Sequence, residues 1–285
     1  MSALILRGAE VAQKIKDEVR AYTDENPGIN LTIFQVGDNP ASNTYIRNKV
    51  RACADCGMDS SVDKYADPQE YDRCIDIPDA LRYCTGSGVM LQLPLPKGWD
   101  EDYFVNCINA SQDADCLTHV SLGKFYASKS PEIAPCTAQG IIDILKYYNI
   151  EIAGKHAVVV GRSNIVGKPV AHLLCCEDAT VTVCHSRTPN LAEFTKQADI
   201  LVVAIGKPKF ITGDMIKPGA VVIDVGINRT EEGTLCGDVD FDQVKEVASA
   251  VTPVPGGVGP LTVANLLLNT IKLHNKAKGK KNGTE

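Results

Sequence analysis

The stretch AVVVGRSNIVGKPVA, residues 157–171, decides how the chain is read. Its apolar run stops at Gly161-Arg162-Ser163, and amphipathic spacing resumes from Ile165 through Val166, Val170, Leu173 and Leu174. That order predicts strand, tight turn, helix. A buried parallel strand is apolar on both faces, and a glycine at its end lets backbone approach a ligand where a side chain would block it. The free N–H groups and positive end of the following helix favour a phosphate. Pro169 is compatible only with the first helical turn, where a missing N–H costs nothing. The spacing Gly161-x-Ser163-x-x-Val166-Gly167 departs from the dinucleotide fingerprint G-x-G-x-x-G at its second glycine, and its last glycine comes one residue late. By itself the turn is open between a nucleotide site and an ordinary strand-to-helix connection.

The surrounding chain repeats the strand–helix alternation twice. In the first series, Val11, Ile15 and Val19 recur every four residues in a helix over 10–22, and Pro27-Gly28 breaks it. A strand over 31–36 follows, then the turn Gly37-Asp38-Asn39-Pro40 and a helix starting near Ser42 as N-cap and ending at Gly57. A strand over 61–65, a helix over 69–84 and a strand over 88–93, closed by Pro94 and Pro96, complete the series. Residues 99–138 are less regular, with one helix expected over 101–109. A helix over 139–148 leads into the second series, with strands over 156–160, 180–184, 200–204, 221–225 and 250–252. A Gly/Pro loop over 253–260 and an amphipathic helix over 261–274 end it. Such alternation implies α/β architecture, a parallel sheet with helices on both faces, and a domain boundary near residue 138.

A chain of 285 residues can bury one large or two medium cores, and 44% hydrophobic with 22% charged residues is ordinary globular composition. The net charge of -6 argues against nucleic acid or an anionic membrane as the main partner. Lys276, Lys278, Lys280 and Lys281 read as a frayed, solvating tail. No apolar run approaches the ~20 residues of a membrane span. The start MSALILRGAE lacks a basic leader and a cleavage site, so a cytoplasmic location is the default expectation. Eleven scattered cysteines are expected to be reduced core thiols. Cys53-Ala-Asp-Cys56 has no second pair at zinc spacing, and the five histidines form no metal cluster, so no metal is expected.

Four stretches carry chemistry. Tyr45 and Lys49, four apart on a helix, share a face just after a turn at a strand's carboxyl end, where open α/β sheets bind ligands. A lysine serves as base or proton shuttle where burial or a neighbouring cation favours its neutral form. Gln92, followed by Leu93, ends an apolar strand with an uncharged donor and acceptor able to hold a lysine or a ligand. Asp113-Ala-Asp115 is either a turn or a pair of site acids, and Pro135-Cys136-Thr137 reads as a rigid hinge with Thr137 capping the next helix. The fourth stretch concerns the nucleotide. An NAD-specific sheet places an acid about 20 residues past the glycine turn to take the ribose 2′-hydroxyl. Here that strand ends in His185-Ser186-Arg187 instead, and with Arg162 these side chains favour a 2′-phosphate and hence NADP.

Taken together, the segment 36–42 with Tyr45 and Lys49, QLPLP at 92–96, Asp113-x-Asp115, PCT at 135–137, GRSNIVGKP at 161–169 and TPVPGGVGPLT at 252–262 resemble the bifunctional methylenetetrahydrofolate dehydrogenase/cyclohydrolase family. The likeness spans essentially the whole chain in order and spacing. It implies an N-terminal α/β catalytic domain over 1–138, a Rossmann-type NADP-binding domain over 139–259, a C-terminal helix over 260–275 returning to the first domain, and a flexible tail over 276–285. It further implies a cleft between the domains and a homodimer acting on tetrahydrofolate derivatives. By the same resemblance Lys49 is the cyclohydrolase base or shuttle, Gln92 holds it, Tyr45 stacks on the folate and Asp115 bonds the pterin. Leu93, Gly256, Gly257 and Pro260 shape the folate side, while Thr137, Gly161, Arg162, Ser163, Ser186, Arg187, Ile227 and Thr262 line the cofactor site.

The chain departs from the family's pattern at three positions. Cys116 stands where glycine is usual after the second aspartate, Ala138 where proline usually follows PCT, and Leu261 where methionine is common. A Cβ at 116 is expected to disturb the loop carrying Asp115. Two other readings are a catalytically silent NADP-binding regulatory protein and an NADP dehydrogenase of shikimate type, which would have no use for the Tyr45, Lys49, Gln92 and Asp115 constellation.

Overall fold

The computed structural model describes residues 3–65, 76–230 and 233–279. In chain order its elements are β1 (Leu4–Ile5), α1 (Gly8–Glu25), β2 (Asn30–Val36), α2 (Pro40–Asp55), β3 (Asp59–Tyr65), α3 (Asp76–Tyr83) and β4 (Gly88–Leu91). Two helices, α4 (Glu101–Val105) and α5 (His119–Ala127), precede α6 (Cys136–Tyr147), β5 (His156–Val160), α7 (Gly167–Cys176) and β6 (Thr180–Cys184). Then come α8 (Leu191–Thr195), β7 (Ile200–Val203), β8 (Val221–Asp224), the short pair β9 (Asn228–Arg229) and β10 (Leu235–Cys236), α9 (Phe241–Val244), β11 (Ala250–Val251) and α10 (Gly259–Ala277).

The chain divides into two units. In the first, residues 3–12 join Thr137–Thr262. Its six-stranded sheet runs β1-β11-β8-β7-β5-β6, parallel throughout. The central strands β5, β7 and β8 are almost wholly apolar and buried, as expected where helices cover both faces. Val158, Val160, Leu201, Val203, Val222 and Val251 share one core cluster. The expected 1–138 boundary leaves out what the N-terminus does here. Leu4 and Ile5 pair with Ala250 and Val251, so the first strand extends the sheet of the later segment. Two residues carry no period of their own, which hides such a strand from a pattern reading.

Asp238 organises the connections of this unit. It is fully buried, and its carboxylate accepts from the backbone N–H of Ile205, Gly206 and Lys207 and from the Asn228 amide. Asp224 next to it accepts from Gly226, Asp238 and Val239, while burial pushes its carboxyl up to about 6.

The second unit comprises Gln13–Cys136 and residues 263–279. Its sheet has three parallel strands in the order β3-β2-β4, and β2 is buried along nearly its whole length. Phe34, Val36, Ile77, Leu81, Val89 and Leu91 build the core beside it. The C-terminal helix α10 belongs here from residue 263: the Tyr22 hydroxyl of α1 donates to Asn275, and Asn269 reaches the backbone of 114 and 134.

Several local expectations change. Asn39, not Ser42, caps α2, its side chain accepting from Ala41 and Ser42 at 2.9 and 3.3 Å, and Ser42 is buried inside the helix. Pro40 at the first helical position makes this earlier start favourable. Thr137 is no cap either, because α6 already begins at Cys136. The segment 99–138 holds a helix, α5, that its weak periodicity concealed, capped by Thr118. Lys276 belongs to α10 and lies 3.7 Å from Glu132. The part of the expected helix 69–84 before residue 76, together with Lys280 and Lys281, lies outside the described residues. The ten cysteines among the described residues are free thiols, but Cys175 is exposed rather than part of the core.

Candidate active site

In the second unit, three separate segments bring polar groups together. Lys49 lies on α2 one turn after Tyr45, yet the two differ in exposure: Tyr45 is 41% exposed and Lys49 only 7%. The Lys49 ammonium donates to Gln92 Oε1 at 2.9 Å and contacts Met90 Sδ at 3.3 Å. Gln92 follows β4 directly, and its Nε2 donates to the Leu93 carbonyl at 2.6 Å. That second bond fixes the amide so that its oxygen, a pure acceptor, faces the lysine. An ammonium has three N–H donors, so Lys49, bonded to Gln92 and Met90, keeps one for a ligand.

Asp115 is the third member. Its carboxyl is pushed up by burial, while the Lys49 charge pulls it back, Asp113 raises it further and a hydrogen bond with Cys136 lowers it. The segment bearing it is not a free turn. Val89 donates to Gln112 at 2.7 Å, Ala114 donates to Val89 at 3.1 Å, and Asp113 bridges Val89 in parallel, so 112–114 docks on the edge of β4. Asp113 is a structural acid, 1% exposed and accepting from the Thr118 N–H at 2.8 Å. Cys136 is the residue of this cluster that sequence reading missed. It lies inside the PCT motif at 135–137, but a thiol in an apolar helical segment carries no signal that separates it from a core residue.

In the first unit Gly161, Arg162, Ser163, Ser186, Arg187 and Ile227 follow the carboxyl ends of the parallel strands β5, β6 and β8. Gly161 has φ +131, and a Cβ there would collide with the Ala204 carbonyl; a Cβ at Gly167 would collide with Gly161 itself. Both glycines are needed for strand, turn and helix to touch. Ser163 Oγ accepts from the N–H groups of Val166 and Gly167 at 3.1 and 3.3 Å, and its carbonyl accepts from Lys168 at 3.0 Å. Pro169 has no N–H, so the first turn of α7 offers no unpartnered donor. The expectation that those N–H groups receive a phosphate is thereby changed: both lone pairs of the Ser163 hydroxyl are taken, which leaves its O–H as the donor. The helix dipole remains available.

After β6 a tight turn is held by His185, which donates to Thr188 at 2.9 Å, and by Arg187, whose N–H donates to His185 Nδ1 at 3.1 Å. Ser186 and Arg187 are exposed, and neither Arg187 nor Arg162 forms an ion pair among the described residues. Glycines that admit close backbone approach, one aimed hydroxyl, two uncommitted guanidiniums and no carboxylate at the end of β6 fit a nucleotide with an additional phosphate. Thr137 and Thr262, in the first turns of α6 and α10, are joined at 3.0 Å, and Ile227 is 51% exposed just past β8. Gly256 and Gly257 lie in this unit as well, against the start of α1: Ala9 donates to Gly256, and Gly257 abuts Gly8. Pro260 occupies the first turn of α10. Among the described residues no group of three or more His, Cys, Asp or Glu side chains is placed to hold a metal, and no helix is long and apolar enough to cross a membrane.

A doubly wound parallel sheet with a glycine turn after a central strand, joined to a second α/β unit holding a buried Lys–Gln pair, defines a two-domain nucleotide-dependent enzyme. The family follows from sequence profiles. Residues 6–115 match the catalytic domain of tetrahydrofolate dehydrogenase/cyclohydrolase, and 135–278 match its NAD(P)-binding domain; the chain belongs to that family. It is 47% identical over 279 residues to the bifunctional protein FolD of Acetivibrio thermocellus, covering 95% of this chain and 97% of that one. The structure of the bifunctional FolD methylenetetrahydrofolate dehydrogenase/cyclohydrolase from Campylobacter jejuni is 39% identical, with TM-score 0.91 over 97% of this chain and 100% of that one. The Trypanosoma brucei enzyme, solved with NADP and an inhibitor, is 36% identical, with TM-score 0.88 over 98% and 99%.

Proposed function

We propose that this chain oxidises 5,10-methylenetetrahydrofolate to 5,10-methenyltetrahydrofolate with NADP and hydrolyses the methenyl cation to 10-formyltetrahydrofolate. The buried Lys49–Gln92 pair, whose charge reaches Asp115, is the observation that carries the reading. Hydride loss makes a cationic carbon and needs positioning more than acid–base help. NADP, when bound, supplies the hydride acceptor. Hydrolysis adds water to that carbon and releases one proton, and Lys49 is the group that takes or relays it. Gln92 holds the amine at a fixed point without adding charge. Tyr45, exposed one turn before Lys49, offers a ring face to the folate, and the Asp115 carboxyl offers hydrogen bonds to the adjacent N–H groups of the pterin.

On the nucleotide side, Ser163 donates to a phosphate, while Arg162, Ser186 and Arg187 receive the 2′-phosphate. Thr137, Ile227 and Thr262 border the same site, and Leu93, Gly256, Gly257 and Pro260 belong to the folate side. The active form in this proposal is a cytoplasmic homodimer. Strand β6 supports the dimer: it is an edge of the six-stranded sheet and leaves Val183 40% exposed, an arrangement that invites pairing. Buried free thiols suit a reducing compartment.

Purified protein given methylenetetrahydrofolate and NADP is expected to form NADPH and then 10-formyltetrahydrofolate. NADP binding without turnover would overturn the reading and leave a silent nucleotide-binding protein. Sedimentation at micromolar concentration decides the dimer, and a monomer under assay conditions would remove it.

A further inference from the structure

Besides its pairing with β4 and a bond from the Cys136 thiol, the backbone that carries Asp115 is held by an amide from the far end of the chain. Asn269, on α10, is 2% exposed. Its Nδ2 donates to the Ala114 carbonyl and to the Ala134 carbonyl, both at 3.0 Å, and lies 3.5 Å from Cys136 Sγ. Ala114 precedes Asp115, and Ala134 lies two residues before Cys136. The single S–H of Cys136 in turn donates to the Ala114 carbonyl at 3.4 Å and is shared with the Asp115 carboxyl. One side chain thus ties together the two irregular segments that flank the Asp115–Cys136 contact. Buried carbonyls outside regular structure need such a donor, and nothing apolar of the same size can replace it.

We propose that Asn269 is a positioning residue that sets the Asp115 carboxyl for the pterin, acting through the Ala114 and Ala134 carbonyls. The inference rests on the reading of Asp115 as the pterin contact. Asn269→Leu keeps the volume and removes both donors, whereas Asn269→Ser keeps one donor in a smaller side chain.

The KM for methylenetetrahydrofolate, measured per NADP-binding site, is expected to rise at least tenfold in Asn269→Leu and by an intermediate factor in Asn269→Ser. The dissociation constant for NADP stays unchanged. A purely structural role would instead reduce the number of NADP-binding sites and leave the KM of the folded molecules as it was, which overturns the proposal. Should the leucine variant not fold, the serine variant carries the test. Asp115→Asn checks the underlying reading separately: if it leaves the folate KM unchanged, the role of Asp115 fails whatever Asn269 does. The Asp115→Asn, Asn269→Ser double variant must be no worse than Asp115→Asn alone. Additive losses would show that Asn269 acts through some other group.

Discussion

The glycine turn at 161–167 and the Lys49 cluster solve opposite problems. The turn is backbone brought close: Gly161 and Gly167 have no room for a Cβ, Ser163 closes the helix, and Arg162 and Arg187 stay in solvent. The cluster is side chains taken out of water: Lys49 and Gln92 are 7% and 8% exposed and are bonded to each other. A site of the first kind tolerates changes at its tips and fails when its glycines change. The second kind fails when one partner leaves, because the other stays buried with an unmet demand.

The contrast is tested most severely at Lys49. Lys49→Ala is expected to lower methenyltetrahydrofolate hydrolysis by about 10²–10⁴, the usual contribution of a positioned acid–base group. NADP affinity should be unchanged. A variant that still hydrolyses within tenfold of the parent would show that the proton passes elsewhere.

Gly161→Ala comes next. The residue must hold φ +131 and admit the Ala204 carbonyl. Backbone strain and overpacking of about 1–3 kcal/mol each predict a loss of roughly 3 kcal/mol in denaturant unfolding, together with loss of NADP binding. A cost under 1 kcal/mol would mean that the turn relaxes easily and that its glycines are not obligatory.

Arg187→Ala tests the tip rather than the frame. Loss of one charge-assisted contact, about 1.5–3 kcal/mol, should lower kcat/KM for NADP roughly 10- to 100-fold, with the value for NAD unmoved and the melting temperature unchanged. Equal losses with both cofactors would place Arg187 away from the 2′-phosphate.

These regions also differ in how far the sequence discloses them. The turn lies in one window, where the change from a continuous apolar run to helical spacing is visible and β5 has the expected bounds. Lys49 and Gln92 were legible as residues, but their 2.9 Å contact joins α2 to the end of β4 and has no local signature. Asn269 was less visible still. It sits in α10 among leucines and the buried polar residues Asn265 and Thr270, and its function depends on carbonyls 155 and 135 residues away. Strand β1 illustrates the same limit for the fold, since two residues become a strand only because β11 offers an edge.

Cys116, one of the three departures from the family's pattern, is where the smallest effect is expected. It occupies φ 58, the left-handed region that glycine enters freely, so the family's usual glycine has a backbone reason. Another residue there costs about 1–2 kcal/mol. This chain offsets part of that cost: the side chain is 1% exposed, and Sγ lies 3.7 Å from the Ile133 carbonyl. Cys116→Gly relieves the backbone, but it also removes that packing and frees the unfolded chain. The opposing effects should leave stability within about 1 kcal/mol of the parent. Asp115 remains tied through Ala114 and Cys136 on its other side, so the folate KM should move by less than about threefold, well below the tenfold step of 1.4 kcal/mol. A larger shift in KM at unchanged stability would show that the Cβ at 116, rather than the Asn269 amide, sets where Asp115 points.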